Sequence, residues 1–288
     1  MATESESRLP GSPGWQPRLV ALDIDGTLLE WVDGEDEIYE KVSPRLQAAV
    51  RKAVDAGAYV VLASGRSPHG MTPIADLLGI TPDAPDQAGR LWVVAANGAV
   101  LLRYPPSEIV HEETFDARPA VEAVLREHPK ALVAVEDRGR GYRVNRPFPE
   151  GELTGLLTEA PVDELVASHV SRVVIRDPEA TADDFVALAA RLGLHGTEYV
   201  VGWTAWLDLT PVGVSKASGL EWVARELGLT AADVLAIGDG RNDIEMLRWA
   251  GRGVAMGQAV EEVRAAADHV TGTVHEQGAA EELERWFG

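Results

Sequence analysis

Four short apolar runs, each closing on a polar residue, constrain this chain more than any other feature. They are Arg18–Asp23 (RLVALD), Tyr59–Ser64 (YVVLAS), Leu91–Asn97 (LWVVAAN) and Asp233–Asp239 (DVLAIGD). A strand with one face in water alternates polar and apolar residues. A nearly continuous apolar run needs cover on both faces, which a parallel sheet between helices provides. Helical spacing separates the runs. In Ser43–Gly57, Ser43 suits the N-cap, Pro44 the first helical position and Gly57 the end, while Leu46, Ala49, Val50, Ala53 and Val54 fall on one face. Ser215–Leu227 repeats the pattern, with Leu220, Val223, Ala224 and Leu227 on one face before Gly228. Shorter helices are read at Asn242–Ala250 and Gln258–Ala267 around a strand at Gly253–Met256, and a last helix at Glu276–Phe287.

The middle of the chain reads differently. From about Leu102 to Trp206 the strands are more polar and the turns more frequent. Asp116–His128 and Thr181–Leu192 read as helices, Ala131–Asp137 and Tyr142–Phe148 as a hairpin, and Ser171–Asp177 and Glu198–Leu209 as further strands. This is the pattern of an α+β unit (102–206) inserted between two parts of an α/β core (18–101 and 207–288). Residues 1–17 read as a disordered tail. Met1–Trp15 is rich in Ser, Glu, Pro and Gly and lacks the apolar core of a signal peptide.

The formal net charge of −20 disfavours a nucleic-acid partner and obliges any phosphate site to supply its own local positive charge. With no cysteine there is no disulfide, thiolate metal site or cysteine nucleophile. The longest apolar runs are far too short to span a membrane. The expected setting is the cytoplasm, with the chain a monomer or homodimer.

In an open parallel sheet, ligands bind beyond the carboxyl ends of the strands. One crevice there would collect Asp23, Asp25, Ser64, Asp239 and Asp243. Crowded carboxylates repel unless a cation joins them, and an all-oxygen set without His or Cys favours a hard ion such as Mg2+. Asp23 and Asp25 flank one residue in Asp23-Ile24-Asp25-Gly26-Thr27, where Gly26 lets the chain turn sharply. A carboxylate is already ionised at neutral pH and can attack a phosphate monoester. A second acid can protonate the leaving alkoxide and then activate water. In Ser64-Gly65-Arg66, a hydroxyl and the backbone N–H groups after it can hold phosphate oxygens. Lys216, at a helix start, can cancel charge on phosphate and nucleophile. In Gly238-Asp239-Gly240-Arg241-Asn242-Asp243, the two acids are one turn apart and Asn242 can donate to phosphate.

Together these residues resemble the four motifs of the haloacid dehalogenase-like hydrolase superfamily, in the order and spacing of its Cof-type sugar-phosphatase branch. The resemblance runs from about Arg18 to Gly288 and includes Asn97-Gly98-Ala99 and Val254-Ala255-Met256-Gly257. It implies a Rossmann-like parallel-sheet core with an inserted α+β cap of type C2B (type IIB), and a Mg2+-dependent phosphatase acting on a small phosphorylated metabolite, plausibly a sugar phosphate. By motif position, Asp23 resembles the nucleophile and Asp25 the general acid/base. Asp23, Asp25 through its backbone carbonyl, and Asp239 resemble metal ligands, and Asp243 a ligand or a supporting acid. Ser64, Gly65, Lys216 and Asn242 resemble the phosphate binders.

Two departures stand out. Ser64 replaces the family's usual Thr, keeping the hydroxyl, and the acidic stretch Glu30–Lys41 is long for this position. Within the cap, Arg138, Arg140, Arg143 and Arg146 crowd one hairpin and suggest a second anion site, set against a simply solvated hairpin. Trp203 and Trp206 suit either sugar stacking or core packing. Arg66 reads as structural or cap-contacting, and His69 as incidental. An EF-hand is excluded because Leu28 and Gly34 stand where Gly and Glu are needed, and no Walker or dinucleotide loop is present. The rival readings are a sugar phosphomutase and a non-catalytic phosphometabolite-binding protein.

Overall fold

The computed structural model describes residues 10–12, 14–29, 41–79, 90–181, 183–184, 188, 197–201 and 206–288. The first strands are β1 (Leu19–Leu22), β2 (Tyr59–Ala63), β3 (Leu91–Ala95), β4 (Val100–Tyr104) and β5 (Glu108–Glu112). The cap contributes β6 (Leu132–Glu136), β7 (Gly141–Val144), β8 (Leu156–Glu159), β9 (Val173–Arg176), β10 (Thr197–Val201) and β11 (Trp206–Pro211). The chain then returns to the core with β12 (Val234–Gly238), β13 (Arg252–Ala255) and β14 (His269–Val270).

An eight-stranded sheet runs β14-β13-β12-β1-β2-β3-β4-β5. From β14 to β3 all neighbours are parallel, and β4 and β5 add an antiparallel edge. Side-chain alternation divides the apolar runs between two cores. Val20, Leu22, Val60, Leu62, Leu235 and Ile237 pack with α1 (Pro44–Asp55), α2 (Pro68–Leu77) and the C-terminal helix Gly278–Phe287. Leu19, Ala21, Val61, Ala63, Val234 and Ala236 pack on the opposite face with the helices Lys216–Glu226 and Ile244–Trp249. Each buried aliphatic side chain contributes about 1.5–3 kcal/mol, so cover on both faces explains why these strands lack polar alternation. The caps follow the expectation. Ser43 Oγ accepts the Leu46 N–H (3.1 Å), and Gly57 turns the chain at φ +86°.

The sheet boundaries correct the sequence reading in several places. The core does not stop at residue 101. Strands β4 and β5 carry it to Glu112, and β5 is polar because an edge strand is only partly covered. Trp206–Pro211 belongs to the cap sheet, so the return to the core falls later than residue 207. The single strand expected at Glu198–Leu209 is two antiparallel strands, β10 and β11, with residues 202–205 outside the described part. The helix expected at Gln258–Ala267 is one turn, Glu261–Arg264. Trp15, assigned from sequence to the tail, is buried. Its ring meets Trp286 edge-on at 5.0 Å and its indole N–H donates to Ala232 O (3.0 Å). Most of Thr181–Leu192, Trp203, and residues 30–40 of the acidic stretch lie outside the described residues.

The six-stranded cap sheet runs β10-β11-β9-β6-β7-β8. One face carries Val133, Val135, Val173, Ile175, Leu207 and Leu209 under the helices Arg118–Glu127 and Val162–Leu165. The alternate residues, Glu136, Tyr142, Arg172 and Asp208, point to the other face and form a buried polar cluster.

Candidate active site

Strand β1 lies between β12 and β2, so the carboxyl ends of all three open on one crevice. The chain runs to one side of β1 through β2 and β3 and to the other through β12 and β13. Such a reversal opens a ligand crevice in parallel sheets. Asp23 leaves β1 with its N–H bonded to Ile237 O (3.0 Å), which fixes it beside the end of β12. Gly26 then turns the backbone at φ +79°. A Cβ there would lie 2.2 Å from Asp239 Oδ2, so this turn admits glycine alone.

Lys216 is the buried pivot. Its helix starts on a capping box from Ser215, and its Nζ donates to Asp23 Oδ1 and to Asp243 Oδ1, both at 2.6 Å. The other oxygen of Asp243 accepts the backbone N–H groups of Asp239 (3.0 Å) and Gly240 (2.8 Å). Asp243 therefore ties Lys216 to the Asp239 loop and has both oxygens engaged. One carboxylate oxygen from each of Asp23, Asp239 and Asp243 lies within 4.8 Å of the others. Three carboxylates thus share one ammonium. Burial, then the neighbouring Asp243, holds Asp23 well above the usual carboxylate range, with Lys216 opposing. Burial and Asp243 push Asp239 up to about 6. Burial disfavours the Lys216 charge, but Asp23 and Asp243 outweigh it and hold the ammonium above the usual lysine range. The excess negative charge and the oxygen-only donors fit a hard divalent cation.

Asp25 stands apart from that trio. Arg66 grips its carboxylate with two bonds, Nε to Oδ2 (2.9 Å) and a terminal nitrogen to Oδ1 (2.7 Å). Ser64 is buried, and its Oγ accepts the Arg66 N–H (3.2 Å), which leaves its own proton for a ligand oxygen. Gly65 lies against Asn97, whose amide atoms would be 3.1–3.2 Å from a Cβ at that position. Asn242 donates to Asn97 Oδ1 (3.0 Å) with one amide N–H and retains a second.

Two contacts escaped the sequence reading. Arg66 orients the second acid, and Gln258 donates to Gly26 O (2.6 Å) and reaches Asp239 Oδ2 (3.4 Å). Gln258 directly follows the Val254–Gly257 idiom, which was the available signal. Two of the four hairpin arginines are engaged by the main chain. Arg143 and Arg146 donate to main-chain carbonyls of Glu164, Leu165, Lys130 and Pro129, and Arg138 is exposed 3.8 Å from Glu112. Trp206 packs edge-on against Phe148 with ring centroids 6.4 Å apart. His69 is exposed, beside Gly155 of the cap.

The cap lies against the core beside this site. Arg172 forms a buried two-bond pair with Asp208 (both 2.8 Å) and donates to the Tyr142 oxygen (2.7 Å), which also meets Ser67, the residue after Arg66. Glu136 accepts the Gly139 N–H with Oε1 (3.1 Å), while its Oε2 is buried without a hydrogen-bond partner. Burial lifts Glu136 to about 7, against the pull of Arg172. The folded cap thus binds a proton that the unfolded chain releases near pH 4.5. The associated stability is complete below that pH and is lost as pH rises through about 7, at most about 3 kcal/mol from the size of the shift. Glu136→Gln is expected to stabilise the protein by about 1–3 kcal/mol at pH 8 and by almost nothing at pH 5. Paired urea titrations at the two pH values check this, and an equal effect at both would refute it.

A sequence model described as haloacid dehalogenase-like hydrolase matches residues 20–283. The chain belongs to that family. Two curated members are similar along nearly their whole length. Phosphatase YwpJ of Bacillus subtilis (strain 168) is 29% identical over 300 residues, covering 91% of this chain and 97% of the relative. Phosphoglycolate phosphatase of Natronomonas pharaonis is 32% identical over 268 residues, covering 92% and 96%. Among solved structures, the haloalkanoate-superfamily phosphatase BT1666 of Bacteroides thetaiotaomicron superposes with a TM-score of 0.75 at 26% identity, covering 99% of this chain and 98% of that one. The subclass IIB sugar phosphatase BT4131 superposes with a TM-score of 0.74 at 22% identity, covering 93% and 98%, a likeness of fold. The protein is a phosphatase of the haloacid dehalogenase-like family, with the parallel-sheet core and inserted cap expected of the Cof-type branch. No helix among the described residues is long and apolar enough to cross a membrane.

Proposed function

We propose that this phosphatase hydrolyses small phosphate monoesters, sugar phosphates among them, through an aspartyl-phosphate on Asp23. The observation that carries the reading is the cluster of Asp23, Asp239 and Asp243, two of them bonded to the buried Lys216 ammonium, beside a separately held Asp25. Lys216 fixes one oxygen of Asp23, leaving the other to attack phosphorus. As the new bond forms, the bond to the leaving oxygen breaks, and Asp25, entering the step as the acid with one oxygen released from Arg66 and protonated from solvent, delivers that proton to the leaving oxygen. Asp25 then takes a proton from the water that cleaves the aspartyl-phosphate. The Ser64 hydroxyl, the Gly65 backbone and the second amide N–H of Asn242 are suited to hold the phosphate oxygens. Mg2+ is the cation we assign; Asp23, Asp239 and the Asp25 carbonyl would hold it, with Asp243 in support. It would offset the repulsion between carboxylate and phosphate. The relatives named as phosphatases of phosphoglycolate and of a phosphoribitylamino-uracil carry small phosphorylated substrates, which agrees with this class.

The test is phosphate release over a panel of phosphometabolites with Mg2+, repeated after chelation. Release with Mg2+ and its loss with chelator are expected. Isomerised sugar phosphate without free phosphate would instead mark a mutase. No turnover of any substrate would leave a binding protein.

A further inference from the structure

Residues 96–98 form a tight turn between β3 and β4 with three consecutive positive φ angles, 49° at Ala96, 53° at Asn97 and 103° at Gly98. Two of these are not glycine, and such backbone costs on the order of 1 kcal/mol per residue unless the surroundings impose it. Three elements of the phosphate site impose it here. The Ala96 N–H donates to Arg66 O (2.8 Å) and the Asn97 N–H to Ser64 O (3.1 Å), so the turn is bonded to both ends of Ser64-Gly65-Arg66. Gly98 lies under the start of the Lys216 helix, where a Cβ would be 2.1 Å from Ser215 O. Asn97 is 8% exposed, and its side chain accepts from Asn242 Nδ2 across 145 residues of sequence. One short turn therefore touches the Ser64 loop, the Lys216 helix and the Asn242 loop.

We infer that Asn97 is a positioning residue for the phosphate site. It fixes the rotation of the Asn242 amide so that the remaining N–H faces the phosphate. A primary amide turns about its last torsion at small cost, and a hydrogen bond to one of its two N–H groups removes that freedom. The left-handed backbone is what brings Asn97 Oδ1 within reach, and asparagine tolerates that conformation better than most residues. The inference rests on the reading of Asn242 as a phosphate donor.

The test is a double-mutant cycle between Asn97→Gly and Asn242→Ala in the full-length, Mg2+-loaded protein. Glycine keeps the left-handed turn while deleting the side chain. Asn97→Ser, too short to reach Asn242, serves if the glycine variant folds poorly. The readouts are the inhibition constant for inorganic phosphate, and KM against kcat on one phosphomonoester. Asn97→Gly is expected to raise the phosphate inhibition constant and KM about 10-fold, the worth of one hydrogen bond to a charged group, with kcat within about 3-fold. In the Asn242→Ala background the same change is expected to add less than about 2-fold. A further full 10-fold there would overturn the inference, because Asn97 would then act by shaping the Ser64 loop instead. A drop in kcat with the phosphate inhibition constant unchanged would overturn it as well. If Asn242→Ala alone leaves phosphate binding intact, the donor reading of Asn242 fails first and leaves Asn97 nothing to orient.

Discussion

Asp23→Asn is expected to lower kcat by on the order of 10^4-fold or more while leaving the protein folded. Asparagine matches the shape of aspartate, but an amide is not a competent nucleophile, and no neighbouring group replaces it. Asp25 is bound to Arg66, and both oxygens of Asp243 are committed to Lys216 and the backbone. The fold should not suffer, because Asp23 is one of three carboxylates around a single ammonium, and burial already holds it above the usual range. The melting temperature of the variant is expected to equal or exceed that of the parent. Turnover and melting measured on one preparation separate lost chemistry from lost structure. A labelled phosphoenzyme trapped from the parent and absent from the variant would complete the case. Full turnover by Asp23→Asn would exclude the covalent route.

The second large effect is expected at Lys216. Its ammonium is about 1% exposed and lies 2.6 Å from an oxygen of both Asp23 and Asp243. Lys216→Met keeps the length of the side chain and removes the charge. Two buried carboxylates then face each other without a cation, and breaking a buried ion pair in this way costs about 3–5 kcal/mol. Asp243 also supports the Asp239 and Gly240 N–H groups, so its displacement reaches the far side of the site. Metal-free Lys216→Met is therefore expected to lose that much stability at pH 7 and most of its activity. The sign with pH follows from the carboxylates. Without Lys216, the one neighbour that lowers the Asp23 pKa is gone, so the folded variant takes up protons more readily than the unfolded chain. The loss should therefore shrink as pH falls toward 5. Urea denaturation at the two pH values measures it, and a loss under about 1 kcal/mol at pH 7 would show that the pair is not held as described.

Much of this was legible in the sequence because its causes are local. The apolar runs identified the central strands, since a strand covered on both faces has no place for polar alternation. Ser43 and Gly57 marked a helix, as cap chemistry acts within a few residues. Asp23, Ser64 and Asp239 were readable because each ends or directly follows a strand whose register sets the crevice. The polar edge strand β5 was not, because partial exposure gives an edge strand the composition of a loop. Trp15 was missed for a related reason: its partner Trp286 lies at the opposite end of the chain.

By itself, the sequence determined the strand-and-helix alternation, the acids at the strand ends, and the residue types that phosphate chemistry requires. Only the tertiary structure decided which of those residues meet. Lys216 joins Asp23 across 193 positions, Asn242 joins Asn97 across 145, and Arg66 joins Asp25 across 41. It also decided that Arg143 and Arg146 turn to main-chain carbonyls while Glu136 is buried with an oxygen unpartnered. The physical reason is range. Propensity, capping and periodicity act over a few residues, whereas a hydrogen bond between distant segments exists only once packing has brought both partners within about 3 Å.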